Sequence, residues 1–184
     1  MTKPSSDGTR ARGLIQLESV QAHADTVLFR TSYDKPVTKY LATGILYVKY
    51  DFPIESVPTS ILSIPLLGFL APFAWLTGAK VRVGDVDEAY LNSLPEVAQE
   101  FKKMYPNVSF SGEIQGSPVR TVSEWDPTRY CLLYSRGVDS TTSLIRNLEK
   151  APILMTVRGT RDLLLHEEQY WNRIQKSVIR SWMG

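Results

Sequence analysis

Between Tyr130 and Leu148 the chain runs YCLLYSRGVDSTTSLIRNL, and this stretch constrains the fold more than any other. It opens with a short apolar run of strand-forming residues, breaks at a polar turn around Gly137, and resumes with Leu144, Ile145 and Leu148 at helical spacing. A strand, a tight polar loop and a helix in that order aim backbone N–H groups and a helix N-terminus at one point, an arrangement suited to an anion. Ser135, Ser140 and Thr141 add hydroxyls around the same point. A triphosphate or pyrophosphate is the natural guest.

The hexapeptide Ser135-Arg136-Gly137-Val138-Asp139-Ser140 resembles the Ser-Gly-Gly-x-Asp-Ser signature of the PP-loop ATP pyrophosphatases. Within that superfamily it is most similar to the branch containing the cyano-deazaguanine synthases of queuosine biosynthesis. The resemblance implies a parallel-sheet nucleotide-binding fold, ATP and Mg²⁺ as ligands, and cleavage of ATP to AMP and pyrophosphate to adenylate a substrate. It implies that Ser135, Ser140 and the backbone from Arg136 through Val138 to Thr141 hold the β and γ phosphates. It also implies that Asp139 would help to hold Mg²⁺ and that Asp139 and Ser140 would be the catalytic residues. The main chain of Thr156, Val157 and Arg158, after the next strand, would recognise adenine. The acceptor is open among a nucleobase, a tRNA and a small carboxylate.

Arg136 departs from the signature, which has glycine there. Glycine reaches positive φ and lets a ligand approach closely; an arginine in that conformation costs about 1 kcal/mol or more. Its guanidinium either reinforces phosphate binding or crowds the pocket, leaving a non-catalytic nucleotide-binding or assembly module. Read without the resemblance, the same residues are a strand-to-helix turn with Ser and Asp as caps.

The fold class expected is α/β: an N-terminal α+β domain followed by an incomplete parallel-sheet PP-loop unit. Residues 1–13 are polar and read as disordered. Residues 14–118 form the first domain, of unassigned role. Alternation predicts strands near 14–20 and 26–32 joined by Ala22-His23-Ala24-Asp25, a turn at Asp34-Lys35-Pro36, and a third strand within Tyr40–Tyr50, together an antiparallel meander. Ile61 to Trp75 is almost wholly apolar. It is shorter than the roughly 20 residues of a membrane span and reads as a core helix capped by Thr59 or Ser60, bent at Pro72 and stopped at Gly78, with a homo-oligomer interface as a second use. A strand over 79–83 follows. A helix starting at Asp85 or Asp87 then runs to Met104, with Leu91, Leu94, Val97, Ala98 and Phe101 along one face. Val108–Gln115 reads as a strand and Gly116-Ser117-Pro118 as a linker.

Residues 119–184 form the nucleotide-binding unit: a strand over 129–134, the loop, a helix over 140–149, a strand over 153–157, a polar exit through Arg158 and Arg161, and a last helix over 166–182. Ligands bind at the carboxyl ends of strands in such sheets, where both the Ser135 loop and the Arg158 exit fall. Two strands are too few for a stable sheet. The missing strands are expected from a longer parent chain, from the first unit or from a partner, truncation being favoured.

Composition excludes several chemistries. Net charge is only +2, so overall charge makes no case for nucleic acid. One cysteine and two histidines give neither a disulfide nor a zinc site. Cys131 reads as a buried strand thiol. A Walker-type phosphate loop is absent from the sequence, and the polar first residues point to a cytoplasmic protein without membrane contact.

Overall fold

The computed structural model describes residues 13–41, 43–121, 128–135, 137–157 and 171–172. The chain divides into two compact units, Met1–Val122 and Ser123–Gly184. Together they make an α/β protein with a mixed five-stranded sheet in the first unit and a small parallel sheet in the second. Of residues 1–13, read as disordered, 1–12 lie outside the described residues, as does most of the predicted last helix; Gly13 is instead buried, and its carbonyl accepts from the Lys80 N–H at 2.8 Å.

In the first unit, β1 (Leu14–His23), β2 (Thr26–Tyr33) and β3 (Ile45–Lys49) form the expected antiparallel meander. β4 (Lys80–Asp87) joins β1 in parallel, and β5 (Glu113–Val119) joins β4 in parallel, giving the order β3-β2-β1-β4-β5. The Asp34 turn becomes one helical turn, α1 (Lys35–Thr38). Asp34 ties it to the sheet: its N–H donates to the Leu14 carbonyl and its carboxylate accepts from the Leu14 N–H, both at 3.0 Å.

The apolar segment is two helices, α2 (Thr59–Leu62) and α3 (Ile64–Thr77). The break falls at Ser63, just ahead of Pro65, and α3 continues through Pro72. Neither Thr59 nor Ser60 caps by its side chain; both are already helical, and Pro58 occupies the cap position. The Ser63 hydroxyl instead donates back to the Thr59 carbonyl at 2.9 Å. Gly78 ends the helix as expected, in the left-handed region at φ +74°. The last carbonyls of α3 are not left orphaned: Ala74 accepts from the N–H of Gly78 and Ala79, and Trp75 accepts from Ser111.

No charged residue lies between Thr59 and Thr77, and by length and composition this stretch would suffice to cross a membrane. Half of it is buried inside the unit. Leu66, Leu67, Leu70, Ala74 and the sheet residues Ile15, Val27, Phe29, Val81 and Val86 form one core. Each such large side chain contributes about 1.5–3 kcal/mol by leaving water. Phe69 and Leu76 remain about half exposed on the far side of α3.

α4 (Glu88–Met104) starts where the sequence places it: the Asp87 carboxylate accepts from the Tyr90 N–H at 3.0 Å. Its stripe is narrower than predicted. Leu94 is buried and Leu91, Ala98 and Phe101 pack beside Trp75, but Val97 is turned outward. Gly116, Ser117 and Pro118 are not a linker. They are the second half of β5, paired with Gly84-side residues of β4 through Asp85↔Ser117 and Val86↔Pro118. Pro118 is tolerated because β5 is an edge strand.

Gly112 passes against the end of α3, where an added Cβ would run into the Ala74 carbonyl and the Trp75 N–H. Gly112→Ala is therefore expected to destabilise the protein by about 3 kcal/mol or more through overpacking and backbone shift, and Gly78→Ala by about 1 kcal/mol through left-handed strain; urea denaturation of both variants checks the order. Burial also pushes the phenols of Tyr50 and Tyr90 above the usual tyrosine value of 10.0. The unfolded chain then loses these protons first, so their contribution leaves stability flat below pH 10 and lowers it as pH rises beyond. Denaturation midpoints between pH 8 and 11 should show that fall, reduced in the Tyr50→Phe, Tyr90→Phe double variant.

Candidate functional site

The second unit places β6 (Cys131–Leu133), α5 (Val138–Arg146) and β7 (Ile153–Met155) in succession, with a 3-10 turn over Leu148–Lys150. β6 and β7 pair in parallel, Cys131 opposite Ile153 and Leu133 opposite Met155. The helix begins two residues earlier than the sequence suggests and ends at Arg146, because Asn147 caps it through the Leu144 carbonyl. Both strands end at the same level, and the loop carrying Ser135 and Gly137 leaves from that end. Thr156 follows β7 there. Its hydroxyl donates to the Tyr134 carbonyl at 2.7 Å, while the Tyr134 N–H donates to the Met155 carbonyl at 2.8 Å. These two bonds hold the segments leading to Ser135 and to Val157 side by side. The sequence singled out Thr156 for its backbone; its side-chain tie to Tyr134 is a role that only the register of the two strands exposes.

Gly137 occupies the N-cap of α5 in an extended conformation, φ −73° and ψ 169°, and no side chain caps the helix. An added Cβ there would meet only the Ser135 hydroxyl at ordinary contact distance, so nothing about the backbone of Gly137 itself demands glycine. The Thr141 N–H donates to the Gly137 carbonyl at 3.0 Å, closing the first turn. The N–H groups of Val138, Asp139 and Ser140 therefore precede the first intrahelical bond and point out of the helix end. The Ser140 hydroxyl donates to the Gly137 carbonyl at 3.0 Å, and the Ser135 hydroxyl reaches Ser140 Oγ at 3.4 Å. Ser135, Gly137, Val138, Asp139 and Ser140 thus share one convex-to-open turn, with Val138 83% exposed and Asp139 exposed. Thr141 is half-buried one step further along the helix. Arg136 and Arg158 lie outside the described residues, as does Arg161.

Asp139 lies in the first turn of α5, where a carboxylate is favoured by the helix dipole whether or not a cation is present. Among the described residues no three His, Cys, Asp or Glu side chains cluster in a way that could hold a metal ion. A magnesium ion needs no such cluster: one or two carboxylates together with phosphate oxygens and water fill its shell. Asp139 and the hydroxyls of Ser135 and Ser140 are compatible with that donor set.

Cys131 is exposed, against the expectation of a buried thiol. So are Leu133, Ile145, Ile153, Met155 and Val157. The cause is the two-stranded sheet itself: parallel strands present apolar side chains on both faces, and the described part of this unit offers a single short helix to cover them. Comparison of the chain with protein-family models, with curated proteins and with solved structures finds no match.

Thr156→Val keeps the shape of the side chain and removes the bond to the Tyr134 carbonyl. It is expected to cost about 1 kcal/mol locally, measured as faster amide hydrogen exchange at Tyr134 with little change at Val81 in the core of the first unit.

Proposed function

We propose that the chain binds ATP with Mg²⁺ at the β6–α5 turn and cleaves it to AMP and pyrophosphate while adenylating an acceptor. The observation that carries this reading is the uncapped start of α5, with the Ser135 and Ser140 hydroxyls beside it, at the carboxyl ends of two parallel strands. Three outward N–H groups and two hydroxyls suit the terminal phosphates of a nucleotide. Thr156, whose hydroxyl bonds to Tyr134 beside the turn, and Val157 would meet the base. Asp139 would hold the magnesium ion, which supplies charge neutralisation at the phosphates. In the reaction an acceptor oxygen forms a bond to the α-phosphorus. The bond from that phosphorus to the α–β bridging oxygen breaks, and its electron pair leaves on pyrophosphate. A hydroxyl acceptor gives up its proton to solvent, and a carboxylate acceptor has none to lose. The residues of the turn act by positioning and by electrostatic stabilisation of the leaving group. A nucleobase, a tRNA and a small carboxylate are the acceptor classes in view.

A second reading keeps nucleotide binding without turnover. It is favoured by the lack, among the described residues, of any group of three metal-ligating side chains around Asp139 and by Arg136 standing at a glycine position of the signature.

Calorimetric titration with ATP and Mg²⁺, together with a pyrophosphate-release assay, separates the readings. Asp139→Asn and Ser140→Ala should each weaken ATP binding ten- to a hundredfold, the scale of a charge-assisted hydrogen bond of about 1.5–3 kcal/mol. Turnover in the unmodified chain supports the enzyme; binding without turnover that Arg136→Gly restores supports the second reading. No binding in either chain removes both.

A further inference from the structure

We propose that β3, at the edge of the five-stranded sheet, pairs with the β3 of a second copy of this chain in an antiparallel, two-fold contact that joins the two sheets. β3 closes the sheet on one side and β5 on the other. The two edges are built differently. β5 contains Pro118, which has no N–H to offer, and its register with β4 slips between Arg82 and Asp85. Both devices discourage a further strand. β3 (Ile45–Lys49) has neither. It holds no proline or glycine, and its pairing with β2 runs without a shift from Thr26↔Lys49 to Arg30↔Ile45.

The hydrogen-bond pattern fixes which groups this edge leaves open. The Thr31 N–H donates to the Gly44 carbonyl at 2.7 Å, and the Tyr50 N–H donates to the Asp25 carbonyl at 2.8 Å. Bonded pairs recur at every second residue of an antiparallel ladder, so Leu46 and Val48 also turn their main-chain groups to β2. Those of Ile45, Tyr47 and Lys49 point away from it. The Ile45 N–H donates locally to the Thr43 hydroxyl at 3.2 Å. The Tyr47 and Lys49 N–H groups have no partner among the described residues. The side chains of the same three residues are exposed, Tyr47 by 57%. An open ladder of donors and acceptors is completed by another strand.

The residues of this edge select a second copy as that strand. A two-fold axis at Tyr47 sets Tyr47 against its own counterpart and Ile45 against the counterpart of Lys49. Every outward residue then has a partner inside the other strand, with the Ile45 N–H exchanging its bond to Thr43. Moving the axis one residue either way sends Lys49 or Ile45 into a loop of the other copy. A lysine at an edge ordinarily blocks pairing. Here no ammonium meets another, because Lys49 faces an isoleucine and is already paired with Asp25 of its own hairpin at 3.5 Å. Leu28 lies opposite Tyr47 within the sheet, so the axis prolongs one apolar cross-strand row through both copies. Such a contact is isologous and closes at two subunits. Two strands of five residues make an interface below about 1,200 Å², so the association is weak and reversible. None of this depends on ATP chemistry at the other unit.

The test is sedimentation equilibrium of the full chain from about 5 to 500 µM, a range suited to weak contacts, together with amide hydrogen exchange. The chain should pass from monomer to dimer as concentration rises. Exchange at Tyr47 and Lys49 should slow in step, while Val48, bonded to β2, stays protected throughout. Tyr47→Lys places like charges face to face across the axis and should raise the dimer dissociation constant about tenfold or more. Facing bonded residues lie about 5.5 Å apart at Cα, within disulfide reach. Tyr47→Cys in a Cys131→Ser background should therefore give a covalent dimer on oxidation with copper–phenanthroline. Phe69→Lys, on the exposed side of α3, should leave the dissociation constant unchanged. Circular dichroism melts confirm that the variants fold. The proposal is overturned by a chain that stays monomeric across the range without cross-linking through Tyr47→Cys. It is also overturned by a Tyr47→Lys variant that associates as tightly as the parent, or by Phe69→Lys dispersing the dimer while Tyr47→Lys does not.

Discussion

The first unit depends on one constraint: a helix without a polar face has to be buried by a sheet with only one free side. α3 is apolar around its whole circumference, so amphipathicity does not orient it. Its position is set instead at its ends. Gly78 turns the chain sharply into β4, and the Trp75 carbonyl accepts from Ser111 on the approach to β5. β4 lies between β1 and β5 and pairs in parallel with both. Helix, central strand and edge strand are therefore clamped together at one corner, and the close pass of Gly112 over Ala74 is part of that clamp. Once α3 covers one face, the other carries Ser32, Gln16, Arg82 and Gln115 in one row, with Leu28, Ile45 and Tyr47 further along the meander.

The second unit is organised by a different balance. Its described strands are three residues each, and Leu133, Ile153 and Met155 on them are exposed, so hydrophobic burial contributes little among the described residues of this unit. The turn between β6 and α5 is instead defined by hydrogen bonds: Thr156 to Tyr134, Tyr134 to Met155, Ser140 and Thr141 to Gly137. These bonds hold the segment leading to Ser135 beside the end of β7 while leaving the N–H groups of the first helical turn outward. A polar turn of this kind has few alternatives for satisfying its backbone except water or an anion.

Residues differ in how plainly they announce their structural role. Asp87 was legible as a cap because a carboxylate ahead of an apolar-periodic run has one common use, and Gly78 was legible because a left-handed stop strongly favours glycine. Thr59 and Ser60 misled for the converse reason. Cap residues are recognised by type, but Pro58 and Pro65 decided where the helices could begin and break. Gly116-Ser117-Pro118 looked like a linker because all three residues are weak strand formers; pairing with β4 overrode that preference at a sheet edge. Val97 followed the helical period but fell just outside the arc that α3 and β5 cover.

What the chain alone determined is the order of its elements and the chemistry of its polar turn: alternation of period two for the meander, a 3.6-residue period for α4, and Ser135, Gly137, Asp139 and Ser140 in one short run. These are local properties, carried by neighbouring residues. Tertiary structure decided everything that depends on partners distant in sequence. Parallel pairing of β4 with β1 and β5 brought Gln16, Arg82 and Gln115 into one row, and sheet pairing put Thr156 against Tyr134. Net charge is a sum and hides position. Only the register of the strands sets Lys80 against Glu113, because facing residues in a sheet come from segments tens of residues apart.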